Sequence, residues 1–117
     1  MKVKTQDLID TALDWAVAKC EGFKYELYEH NRKKWKNGLH RPQHWQPSTN
    51  WAQGGPIIEL NEIGSFHYIH GFHGSTWSAS IGSGGFQQDG PTPLIAAMRC
   101  YVASKLGDVV DIPDELA

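Results

Sequence analysis

Two tryptophans, Trp45 and Trp51, bracket a stretch rich in side chains able to hold a small planar, anionic molecule. An indole stacks on a planar ring. Arg41 and His44, just before the stretch, and Arg99, far along the chain, could neutralise phosphates. Backbone N–H groups around Gly54-Gly55 could approach an anion closely. Ser48, Thr49, Asn50 and Gln53 supply donors and acceptors suited to a base edge or to sugar hydroxyls. Together these eleven residues are the mixture a nucleotide-like ligand requires. The competing reading is structural: Trp51 belongs to the core, and Ser48, Thr49 and Asn50 only cap a helix.

Catalytic signatures are sparse. His67, His70 and His73 are spaced three apart. On a strand, His67 and His73 share a face and His70 points away, so one metal could take all three only if the turn at Gly71 bent them together. Exposed polar residues of a hairpin are the alternative, and no metal site is expected. The chain has no Gly-x-Ser-x-Gly elbow, and Cys20 and Cys100 fall within expected helices. Gly82-x-Gly84-Gly85 has no following Lys-Ser/Thr and matches neither a dinucleotide fingerprint nor a P-loop. The expectation is a binding protein, not an enzyme, with no catalytic residue and no cofactor.

The elements that must position these groups belong to one domain, since 117 residues and 13.1 kDa suffice for a single core. An apolar fraction of 40% with 21% charged residues is that of a folded domain. A formal charge of −2 and a pI near 6.3 argue against an electrostatically driven nucleic-acid binder. No run of about 18 apolar residues is present to span a membrane, and the first residues lead into an amphipathic segment, not a signal peptide. Cys20 and Cys100 read as buried thiols in a reducing compartment, with a disulfide as the alternative.

Along the chain, Thr5 reads as the N-cap of a first helix over about 5–21, with Asp7 in its first turn. Leu8, Ile9, Ala12, Leu13, Ala16, Val17 and Cys20 share one face, Asp10, Asp14 and Glu21 the other, and Trp15 sits at the edge. A strand is expected over 23–28. A basic, aromatic excursion follows over 29–47, in which Asn37-Gly38 could close a hairpin; it is either a solvated surface segment or a flap over a pocket. Ser48, Thr49 and Asn50 compete to cap a short turn through Trp51, which Gly54-Gly55 breaks and Pro56 restarts; a strand over 56–60 competes. Antiparallel strands are expected over 66–70 and 76–81, then a flexible loop over 82–91. Thr92-Pro93 opens a helix over 93–106 that Gly107 stops. Its small residues Ala96, Ala97, Cys100, Ala103 and Ser104 suit close approach by another helix, within the domain or across a dimer. Residues 108–117 form an acidic tail that Val110 and Ile112 could anchor.

Three segments resemble the NinX-type proteins of lambdoid phages and prophages. They are Leu13-Asp14-Trp15-Ala16-Val17-Ala18-Lys19-Cys20-Glu21-Gly22, Thr49-Asn50-Trp51-Ala52-Gln53-Gly54-Gly55-Pro56-Ile57-Ile58-Glu59, and the stretch from Pro91-Thr92-Pro93-Leu94 to Leu106-Gly107-Asp108. More distantly, the order of elements is similar to the phage alpha–beta–alpha sandwich domain. The resemblance implies phage origin and an α+β fold: a small alpha-beta-alpha sandwich with an antiparallel sheet of three to four strands, two main helices and a short central one. The family usually carries Asp where this chain has Asn50, so no carboxylate role is implied there. With the candidate pocket, the expectation is a phage accessory protein that sequesters a small nucleotide-derived molecule, like a host immune signal, in the host cytoplasm as a homodimer or higher homo-oligomer. Two alternatives stay open. One is an interaction module binding a host or phage protein; the other is a hydrolase using the histidines on a similar ligand. No membrane or nucleic-acid partner is expected.

Overall fold

Thr92-Pro93 opens the helix around which the computed structural model is arranged; the structure describes residues 1–22, 45–71, 74–82 and 86–116. This helix is α3 (Pro93–Leu106). Thr92 Oγ1 accepts the Ile95 N–H at 3.1 Å, proline occupies the first turn, and Gly107 ends the helix, as the sequence indicates. Residues 94 to 103 are all buried because α3 is covered on two sides. One side meets strands β3 (Gly74–Ile81) and β4 (Phe86–Gly90), the other α1 (Asp10–Cys20). A helix enclosed in this way has no polar face to show.

The small residues of α3 let β4 come close. A Cβ on Gly90 would lie 2.8 Å from the Ala96 nitrogen, and Cys100 Sγ donates to the Phe86 carbonyl at 3.0 Å. The place expected for a second helix or a dimer partner is thus taken at Ala96 and Cys100 by a strand of the same chain. That strand corrects the expected flexible loop over 82–91. Residues 86–90 lack apolar alternation, and their extended form comes from pairing with β3 and packing on α3. In the three-stranded antiparallel sheet, β3 lies between β2 (Ile63–Gly71) and β4. Its hairpin matches the expected strands but is longer, with a register irregularity between Gly64 and His67. Tyr68 and Trp77 pair across it with ring centroids 5.0 Å apart.

The first helix starts later than expected. Residues Lys2–Lys4 form β1, paired antiparallel with β5 (Val109–Asp111), and a 3-10 turn follows at Thr5–Asp7. Thr5 caps nothing: its N–H donates to Asp108 O at 2.8 Å and its Oγ1 to Gly107 O at 2.6 Å. These bonds across the chain tie Thr5 to the end of α3, and α1 begins only at Asp10, whose φ is +52°. Asp14, assigned to a solvated face, is 5% exposed, and Trp15, assigned to the edge, is buried. Cys20 and Cys100 are free thiols.

The central segment also differs. Trp51–Leu60 is one continuous helix, α2, running through Gly54-Gly55 and Pro56. Neither the break nor the strand over 56–60 occurs. Within the described residues the protein is α+β, with three α-helices and antiparallel sheets of two and three strands. Its core centres on Leu8, Leu13, Val17, Met98 and Val102. The expected strand over 23–28 and the excursion up to residue 44 lie outside the described residues.

Candidate functional site

The residues expected to hold a ligand fall in two places. Around the central segment most of their polar groups are engaged in building the loop. Thr49 and Asn50 N–H both donate to Gln46 O, at 3.1 and 2.8 Å, and the Gln46 N–H donates to Gln53 Oε1. Ser48 is 1% exposed and donates its N–H to Asp14 Oδ1 at 2.9 Å, while Trp45 Nε1 donates to Asp14 O at 3.0 Å. Asn50 Oδ1 accepts the Ala52 N–H at 2.9 Å and caps α2. Gly54 is buried against Leu94 and the Pro47 carbonyl, whereas Gly55 faces open space. Trp51 is not a core residue: it is 55% exposed. With Ser48, Thr49, Thr92, Leu94 and Ile95 it lines a groove of about 180 Å³. Ligand pockets usually measure about 300–1,000 Å³. Arg41 and His44 lie outside the described residues.

Arg99 opens elsewhere. It lies two turns beyond Thr92 on α3, about 10 Å along the axis at 1.5 Å per residue. The residue is 9% exposed and its side chain is held by two main-chain carbonyls: Nε donates to Leu8 O at 2.8 Å and Nη1 to Asp89 O at 2.7 Å. No ion pair joins it to a carboxylate among the described residues. Burial lowers its pKa from the ordinary value, and the negative charges of Asp7 and Asp89 act the other way. A guanidinium stays protonated under such shifts, so the site keeps a fixed cation.

That cation walls a cleft of about 520 Å³. Gln6 and Asp7 come from the turn before α1, Thr76 from β3, and Gln87, Gln88 and Asp89 from β4. Gln87 is fixed by a 2.8 Å bond from Nε2 to Ser78 Oγ. Gln88 Oε1 is shielded from solvent and has no hydrogen-bond partner among the described residues. Gln6 and Gln88 also line an adjoining cleft of about 340 Å³ that carries Lys4 and Asp108. Of the expected set only Arg99 belongs here. The other residues were missed because three separate segments supply them, and 86–90 carries no strand signal. The adjacent amides Gln87-Gln88 were the one visible hint.

Other chemistry finds little purchase. Burial pushes the Cys20 thiol up to about 12, with Glu21 adding to it, and burial pushes Cys100 up to about 11. Both stay protonated near neutrality, which leaves them poor nucleophiles. Of the three histidines, His73 lies outside the described residues. Among the described residues no group of three His, Cys, Asp or Glu side chains is gathered for a metal. No described helix is long and apolar enough to cross a membrane.

No curated protein matches the chain. The family model described as Bacteriophage P22, NinX matches residues 4–105, which takes in α1, α2, α3 up to Lys105, the three-stranded sheet and Arg99. The chain therefore belongs to the bacteriophage P22 NinX family.

Proposed function

We propose that this phage accessory protein binds a small nucleotide-derived molecule in the Arg99 cleft and sequesters it unchanged in the host cytoplasm. One observation carries the reading. The arginine is largely buried, its guanidinium donates to two carbonyls and has no carboxylate ion pair among the described residues, and it stands in the wall of a 520 Å³ cleft lined with amides. Burying a cation is costly, and a bound acceptor offsets that cost where a surface position would have avoided it. The volume suits a nucleoside or nucleotide. Away from the Arg99 cleft, the central segment supplies scaffold: Asp14 binds the loop to α1, and Asn50 caps α2. Trp51 of that segment has an exposed indole.

The test is capture and release. The purified protein is incubated with a panel of ribonucleoside monophosphates and of cyclic mono- and dinucleotides, desalted, heated, and the released material is analysed by chromatography. Recovery of an intact member of the panel is expected, with retention weakened on the order of tenfold or more by Arg99→Lys, which keeps the charge but not the planar fork. Release of a chemically altered compound would instead support the hydrolase reading. Capture of nothing overturns the proposal.

A further inference from the structure

We infer that the Arg99 cleft is a base pocket selective for guanine, and not the phosphate end of the site; this rests on the nucleotide reading above. The charge around Arg99 decides the orientation. One guanidinium and two carboxylates, Asp7 and Asp89, line the cleft. A phosphate placed there meets more negative than positive charge. A nucleobase edge carries donors and acceptors side by side and can satisfy both signs at once.

Among the common bases, guanine fits this pattern best. Its O6 and N7 are paired acceptors that match an arginine fork, and its N1–H and N2–H₂ are adjacent donors that match a carboxylate. Adenine offers one amino donor beside ring-nitrogen acceptors, which leaves a carboxylate facing a lone pair. Cytosine likewise has a single amino donor group. Gln6 and Gln88 line the adjoining 340 Å³ cleft too, so the sugar and phosphate leave past them toward Lys4, where one carboxylate, Asp108, stands in place of two.

Calorimetric titration of the full chain with GMP, IMP and AMP tests the assignment. GMP should bind on the order of tenfold or more tightly than AMP, and IMP, which lacks the 2-amino group, should fall between them. Asp7 and Asp89 are exposed, so Asp7→Asn and Asp89→Asn should still fold cooperatively, with a melting temperature lowered only by the loss of one charge that favours the Arg99 cation. At least one of the two should weaken GMP on the order of tenfold without weakening AMP, since the amide removes the clash between carboxylate and lone pair. AMP binding as tightly as GMP overturns the guanine assignment and leaves the nucleotide reading standing. GMP binding that neither variant alters overturns this placement of the base. Failure of the three nucleotides and of the capture panel to bind overturns both.

Discussion

Buried titratable groups of the core give the protein a pH dependence with a definite sign. Cys20 and Cys100 are raised from an ordinary 9.0 to about 12 and about 11, chiefly by burial. The Tyr101 phenol, buried and donating to Glu21 Oε2 at 2.6 Å, is raised as well. Each group ionises at lower pH in the unfolded chain than in the folded one. Their contribution to stability is therefore whole below pH 9 and is lost as pH climbs through the folded values of about 11 and 12. Urea titrations should give a midpoint that is steady up to about pH 9 and falls from there toward about pH 12, and Cys100→Ala should make the fall shallower. A thiol-specific chromogenic reagent at pH 7.5 should label neither cysteine rapidly until urea is added. At Thr5, replacement by Val removes the hydroxyl bond to Gly107 O and should cost about 1–2 kcal/mol in the same titration. Thr5 also shows the limit of local reading, because followed by Asp7 and an apolar periodicity it has every mark of an N-cap. Its real partners, Gly107 and Asp108, are about a hundred positions away, and no neighbouring residue announces them.

At the level of elements, α3 was legible because its signals are local: a threonine, a proline and a glycine at the right spacing decide where it begins and ends. α2 was not, because Gly-Gly-Pro normally interrupts a helix and packing here overrides it. The two glycines do different jobs, and substitution separates them. A Cβ at Gly54 would stand 2.5 Å from both Leu94 Cδ1 and the Pro47 carbonyl, while one at Gly55 meets nothing within 4 Å. Alanine favours the helix over glycine by about 1 kcal/mol at either position. Gly55→Ala should therefore stabilise by about 0.5–1 kcal/mol. At Gly54 the backbone carbonyl has no easy retreat, so Gly54→Ala should destabilise by about 1–3 kcal/mol despite the better propensity. Thermal melts of the two variants check the opposite signs. The same reasoning explains β4, whose glutamines and glycine suit a strand only once β3 and α3 are in place. The candidate site depends on that strand for Gln87, Gln88 and Asp89, so most of it stayed hidden while Arg99 was visible.

Across the whole molecule, two devices join distant parts of the chain. Arg99 bonds Leu8 on one side and Asp89 on the other, linking the N-terminal segment to the sheet through α3. The β1–β5 pair then closes residues 2–4 against 109–111, with Val110 and Ile112 buried beneath it. This clasp sits at the margin of the family match, which spans 4–105, yet it leads directly into Gln6 and Asp7 of the cleft. Loosening it should therefore register in stability and at the site together. Ile112→Ala should cost about 2–5 kcal/mol, since it empties a buried position, and that is a large share of the roughly 5–15 kcal/mol typical of a domain. The links through Arg99 favour a single transition, so tryptophan fluorescence and far-UV circular dichroism should shift to the same lower urea midpoint. Below that midpoint the variant should also bind GMP more weakly than the parent, because Gln6 and Asp7 follow the released strand. Two separated transitions would mean that the clasp unfolds on its own, and GMP affinity equal to the parent's would mean that the cleft does not depend on it.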